Sequence, residues 1–252
     1  MGDNAGMSNA GTSAAGMSTA GMSNVGMVTV GGLRERLAAV QAGIAAAAAA
    51  AGRNPAELTT VVVTKFQPIS LCEELAALGV RDFGESRHQE AQVKAVALSG
   101  LNLTWHFVGQ VQGKKARQVR AYADVIHSVD RASLVDALRS EESVVDCFVQ
   151  VNLTDDPGRG GVAPGELSGL VEQVLSTAGL RLLGLMAVAP VGAEPRRAFA
   201  QVRELGEQTR RLAPSAQYLS MGMSQDYAAA ILEGATHLRI GTAITGNRPV
   251  SG

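Results

Sequence analysis

From residue 59 onward the chain alternates short runs of Val, Leu and Ile with longer stretches in which apolar residues recur at helical spacing. A run of four to eight apolar, β-branched residues reads as a buried strand, and apolar positions three and four apart read as one face of a helix. On that basis strands are predicted near 59–65, 80–84, 103–108, 124–127, 145–151, 181–188, 216–220 and 236–240. Helices are predicted between them, near 70–78, 87–98, 113–121, 131–140, 165–178, 195–212 and 225–233, with one more at 33–51 ahead of the first strand. About eight βα units in a chain of 252 residues are what a single TIM (β/α)8 barrel of the α/β class requires; a doubly wound open sheet is the alternative from the same pattern. In a TIM barrel ligands sit at the C-terminal ends of the strands, and phosphate commonly binds at the loops after strands seven and eight.

Ahead of residue 31 this patterning vanishes. Residues 6–28 repeat GMSNA, GTSAA, GMSTA and GMSNV, a Gly/Ser/Met-rich composition that cannot bury enough apolar area to offset ordering entropy, so residues 1–30 are expected to be a disordered tail and 31–252 the barrel. Only Asp3 is charged before Arg34, and glycine interrupts every apolar block, which argues against a secretory signal and for a cytoplasmic protein. The Ala-rich run at 45–51 is far shorter than the roughly 20 residues a membrane span needs. A formal net charge of -1 gives no electrostatic footprint for nucleic acid or an anionic membrane, which leaves small molecules as the ligand class. Cys72 and Cys147 have no CxxC or histidine cluster beside them and read as packed thiols.

Candidate chemistry starts with VVVTKFQP, residues 61–68, a strand that ends in Lys65. Burying an unpaired ammonium is costly, so a lysine at that place calls for a reason. A partly desolvated amine at the C-terminal end of the first strand is a usable nucleophile toward a carbonyl, which suggests Schiff-base chemistry; a lysine that merely points into solvent is the plain alternative. The stretch YLSMGMSQD leaves strand seven, turns on Gly222 and places Ser224 as an N-cap candidate, where a hydroxyl and free backbone N–H groups can hold phosphate. After strand eight, LRIGTAI repeats the logic with Gly241 and Thr242. Two phosphate-competent turns beside a strand-end lysine suggest a phosphorylated aldehyde.

VVVTKFQP, DFGESRHQE, WHFVGQVQGKK, HSVDR, LRLLGLMAVAP, LSMGMSQDYAAAI and HLRIGTAITGNR, in this order over 33–248, resemble the pyridoxal phosphate homeostasis protein family. The resemblance implies a single barrel like the N-terminal domain of alanine racemases, with pyridoxal 5′-phosphate (PLP) held as a Schiff base by Lys65. It further implies phosphate binding by Ser224, Gly241 and Thr242, Arg239 facing the pyridine nitrogen, and a role in PLP and amino-acid homeostasis with apo-PLP enzymes as recipients. Three positions depart from the family pattern: Ser86 stands where Asn is usual, Lys114 where Asn is usual, and Thr245 where Phe is usual. The rival readings are a PLP-dependent amino-acid racemase and a class I aldolase. Alanine racemases draw a second base, a tyrosine, from an additional C-terminal domain; this sequence ends at Gly252, so at most trace racemisation is expected. His106 and His127 read as satisfied structural histidines and Met186 as packing. Asp155, Asp156, Gly158 and Gly160 lack the further ligands of a calcium loop.

Overall fold

The structure, a computed structural model, describes Met1 and residues 32–156 and 158–247. All of the expected tail except Met1 therefore lies outside the described residues. Eight strands form: β1 (Thr59–Val63), β2 (Asp82–Glu85), β3 (Thr104–Phe107), β4 (Val125–Val129), β5 (Val145–Gln150), β6 (Leu180–Met186), β7 (Tyr218–Ser220) and β8 (His237–Ile240). They pair in parallel in chain order, and β8 returns to β1 to close the barrel, which excludes the open sheet. Helices α1 (Leu33–Ala50), α2 (Ile69–Ala77), α3 (His88–Ala97), α4 (Ala116–Arg120), α5 (Ala132–Leu138), α6 (Leu167–Ser176), α7 (Pro195–Leu212), α8 (Tyr227–Leu232) and α9 (Thr242–Thr245) accompany the strands.

The apolar pattern that predicts the strands serves mainly the outside of the barrel. Val62, Phe83, Trp105, Ile126, Leu185 and Leu238 pack outward into one cluster with helix residues such as Leu75, Leu134 and Phe199. Inside the barrel the apolar filling is small, a cluster of Val125, Phe148 and Met186. Polar side chains share that interior, and they matter below. Helix α1 seals the ring beside α8 and α9: Arg36 Nε donates to the Ile244 carbonyl at 2.7 Å, and Arg53 Nη1 donates to the carbonyls of Ile231 and Ala235 at 3.1 and 2.6 Å.

Many element ends shift by one or two residues from expectation, and three of the differences are noteworthy. Strand β1 stops at Val63, two residues short of Lys65. The helix expected over 113–121 splits into a 3-10 turn, Gly113–Lys115, and the five-residue α4. The helix expected from 225 starts at Tyr227, because the preceding turn closes first through Asp226 N–H to the Met223 carbonyl at 3.1 Å.

Candidate functional site

Barrel closure sets the expected site together. The register pairs Val61 with Arg239 and Val62 with Ile240, so the segment after β1 and the segment after β8 leave the barrel side by side. The Gly241 backbone lies against Val63: a Cβ at Gly241 would stand 3.7 Å from the Val63 carbonyl oxygen. Strand β7 joins the same rim, with Ser220 opposite His237 and Arg239 N–H donating to the Gly222 carbonyl at 2.9 Å.

Lys65 sits in the turn that follows β1, and its side chain is exposed. The expectation of a partly desolvated amine is thereby corrected: with the strand ending two residues earlier, the chain carries Lys65 clear of the packed layers. It makes no hydrogen bond or ion pair with any described residue. Its neighbours are held firmly. Lys94 on α3 donates to the Thr64 carbonyl at 2.7 Å and to Glu85 Oε1 at 2.5 Å, and Thr64 Oγ1 donates to the same carboxylate oxygen at 2.7 Å. Phe66 has φ of 66°, a left-handed backbone that costs a non-glycine residue about 1–3 kcal/mol. Glu90 on α3 accepts from the Phe66 N–H at 2.8 Å, and the Arg87 guanidinium lies 5.1 Å from the centre of the Phe66 ring. Helix α3 thus clamps the residues on both sides of Lys65. Burial raises the Glu85 carboxyl above the usual range, against the hydrogen bonds from Lys94 and Thr64.

Sequence reasoning missed this clamp. The stretch DFGESRHQE contains Glu85 and Glu90, but nothing in its composition tells which backbone atoms those carboxylates reach. Ser86, one of the three departures, is half-buried, and its carbonyl oxygen presses on Gly109, where a Cβ would come within 2.3 Å of it.

The turn after β7 runs through Gly222, whose φ of 94° and a Cβ position 2.7 Å from the Ala230 side chain admit only glycine. Ser224 follows in the turn, but the N-cap position of α8 belongs to Asp226, whose carboxylate accepts from the Met223 N–H at 2.5 Å. That corrects the capping role expected of Ser224. The Ser224 hydroxyl and the backbone N–H groups of Ser224 and Gln225 have no acceptor among the described residues. The second turn is alike: Gly241 precedes α9, Thr242 opens it with an exposed hydroxyl, and the N–H groups of both residues are without acceptors among the described residues. An exposed amine flanked by two turns of free N–H and O–H donors is a donor set that fits an aldehyde bearing a phosphate.

Arg239 faces the barrel interior and is buried; Nη1 donates to Ser220 Oγ at 2.7 Å and Nη2 to the Ala187 carbonyl at 2.9 Å. Burial lowers its pKa to about 10, with Asp226 opposing, so it stays a cation at neutral pH. His106 and His127 are buried and hydrogen-bonded, as expected of satisfied histidines, and Met186 packs in the interior cluster. Cys72 and Cys147 are buried free thiols, with burial pushing Cys147 up to about 12. Lys114 is exposed, and Thr245 is buried in the last helix. Asp156 accepts from the Gly158 N–H at 2.8 Å, and no group of metal-ligating side chains occurs among the described residues. No described helix is long and apolar enough to cross a membrane.

Fold and rim together define a lysine-bearing parallel barrel of the alanine racemase N-terminal type. The family model described as "Alanine racemase, N-terminal domain" matches residues 36–249. The chain is 41% identical over 223 residues to the pyridoxal phosphate homeostasis protein of Pseudomonas aeruginosa, covering 86% of this chain and 96% of that one. It is 36% identical over 231 residues to the homonymous protein of Escherichia coli K12, covering 87% and 98%. Among solved structures, PipY of Synechococcus elongatus with PLP bound superposes with a TM-score of 0.74 at 33% identity, over 85% of this chain and all of that one. Alanine racemase from Corynebacterium glutamicum shares the fold at 16% identity and a TM-score of 0.63, over 86% of this chain and 62% of that one. The chain belongs to the pyridoxal phosphate homeostasis protein family.

Proposed function

We propose that this chain binds PLP as a Schiff base at Lys65 and acts in the cytoplasm as a carrier or buffer of PLP, without robust turnover of its own. The observation that carries the reading is the closure of β8 on β1. That closure sets an exposed, unpartnered amine beside two turns whose hydroxyl and N–H donors are free. The names of the relatives and the PLP-bound PipY structure support it.

PLP, when bound, supplies an aldehyde for an amine and a ring that withdraws electrons. The chain's own residues divide the remaining work. Lys65 supplies the amine, held in place by the α3 clamp on Thr64 and Phe66. Ser224, Gly241 and Thr242 supply hydroxyl and N–H donors for phosphate. Arg239 is the residue that would meet the ring nitrogen, and a guanidinium that keeps its proton would donate to that nitrogen without protonating it, which would leave the ring a weak electron sink. A racemase with such an arginine needs a second base opposite the lysine. The three described tyrosines are engaged elsewhere: the Tyr122 hydroxyl is 3.4 Å from His88 Nδ1, the Tyr218 ring stands edge-on to His237, and the Tyr227 hydroxyl lies under Gly43 of α1. Apo-PLP enzymes are the recipients that this reading assigns.

The test is an absorbance spectrum of PLP-loaded protein before and after borohydride reduction, followed by peptide mapping. A single reduced adduct on Lys65 is expected; an adduct on Lys114 or Lys115 instead would overturn the assignment.

A further inference from the structure

The interior of this barrel carries ionisable side chains where such barrels ordinarily stack branched apolar ones. Four of them and one serine hydroxyl form an unbroken line from one mouth to the other. Asp82 Oδ1 is 3.0 Å from His106 Nε2, His106 Nδ1 is 2.9 Å from His127 Nε2, His127 Nδ1 is 2.8 Å from Ser220 Oγ, and Ser220 Oγ is 2.7 Å from Arg239 Nη1. His106, His127, Ser220 and Arg239 are buried, and only Asp82 reaches solvent, its side chain 31% exposed. Asp82 opens β2 and Ser220 closes β7, so the line runs from the N-terminal mouth of the barrel to the rim of the site.

The protons along this line can be assigned. A guanidinium only donates, so Ser220 Oγ accepts from Arg239. Among the described residues the Ser220 hydroxyl has one acceptor in reach, His127 Nδ1, and a buried O–H aimed elsewhere would go unmet. His127 is then protonated at Nε2 and donates to His106 Nδ1; His106 is protonated at Nε2 and donates to the Asp82 carboxylate. Each contact has one donor and one acceptor, both imidazoles are neutral, and charge remains only at the two ends. The reverse direction needs an imidazolium at His106 or a proton on Asp82, and it leaves the Ser220 proton without a partner. Burial, reinforced by His106, Arg239 and His237, holds His127 well below the usual imidazole range, in keeping with a neutral ring.

We propose that Asp82, His106, His127 and Ser220 are positioning residues that form a one-way hydrogen-bond relay, fixing the direction of the Arg239 guanidinium and giving it a counter-charge at the far mouth. The counter-charge has a purpose, because Arg239 is a buried cation with no carboxylate in ion-pair contact among the described residues. The consequence for the cofactor rests on the reading of Arg239 given above, whereas the relay itself is a property of the ligand-free chain.

Nitrogen-15 NMR of histidine-labelled, ligand-free protein tests the relay directly. Neutral Nε2–H tautomers at both His106 and His127 are expected; an Nδ1–H tautomer or an imidazolium at either one overturns it. Binding titrations test the positioning. His127→Phe should weaken PLP and pyridoxal alike, by about five- to tenfold, the worth of roughly one hydrogen bond. His127→Gln, whose amide can accept from Ser220 and donate to His106, should stay within about twofold of the wild type. Equal affinity in all three proteins, or equal loss in both variants, overturns the positioning role. An analogue with CH in place of the ring nitrogen should bind all three equally. If the tautomers are as assigned but this analogue is weakened as much as PLP, the relay stands and the ring-nitrogen reading of Arg239 falls.

Discussion

Lys65 is exposed and unpartnered, while the residues on either side of it are among the most constrained in the barrel rim. Lys65→Ala therefore removes an amine without opening a cavity, and the variant is expected to keep its melting temperature while losing the borohydride-trapped adduct. A protein that unfolds on this change would show the side chain to be structural. The clamp behaves differently. Lys94→Met strands the Glu85 carboxylate in a buried setting, where Oε2 already lacks a partner. Breaking such a pair costs about 3–5 kcal/mol, read as a lower urea midpoint, and Glu85→Gln added to Lys94→Met should recover part of it. No recovery in the double variant would mean that Lys94 acts through packing and not through the pair.

At the scale of elements, two strand-to-helix turns offer unused donors to one space. Neither turn is a long helix start; α9 has four residues and α8 six, so individual hydroxyl and N–H groups carry the interaction and not a helix dipole. Ser224→Ala combined with Thr242→Ala removes two hydroxyl donors worth about 0.5–1.5 kcal/mol each, so PLP affinity should fall by roughly one to two orders of magnitude. Pyridoxal, which lacks the phosphate, should bind the double variant as it binds the wild type. Equal weakening of both ligands in a titration would place the phosphate elsewhere. The identity of the turns was legible in LSMGMSQD and LRIGTAI, but the cap at Asp226 was not. Serine and aspartate both serve as N-caps, and only the closing of the 223–226 turn decides between them.

For the whole molecule, a polar interior has a cost in acid. His237 is buried, and desolvation, together with His106 and Arg239, lowers its pKa to about 4 from the ordinary imidazole value of 6.5, with Asp82 opposing. In this window the unfolded chain binds the proton and the folded chain does not, so stability is full above 6.5 and falls as pH drops toward 4. His127, shifted in the same direction, adds to the loss. Urea midpoints should therefore decline between about pH 6.5 and 5, before carboxylates titrate, with His237 accounting for roughly 1–2 kcal/mol of lost stability. His237→Phe, which keeps the ring packing against Phe148 and Tyr218, should show a shallower decline; an unchanged slope would exonerate His237. The carrier reading also belongs at this scale. PLP-loaded protein should racemise alanine at no more than a trace, and turnover in the usual enzyme range of about 1–10³ per second would defeat it.

The alternation of apolar runs and helical spacing was enough to place all eight strands and to choose a barrel, because burial of one face is a local property written in side-chain periodicity. Lys65, Ser224, Gly241 and Thr242 could be singled out for the same reason: strand ends and turn residues are recognisable one segment at a time. Tertiary structure alone decided what those segments meet. It put β8 against β1, so that residues far apart along the chain share a rim, and it reached back with Glu90 and Lys94 to grip the backbone around Lys65. It also turned Asp82, His106, His127, Ser220 and Arg239 inward from five strands, where their spacing along the chain carries no common period. Contacts of that kind depend on barrel closure and strand stagger, which are set by the packing of the whole ring and not by any one stretch of sequence.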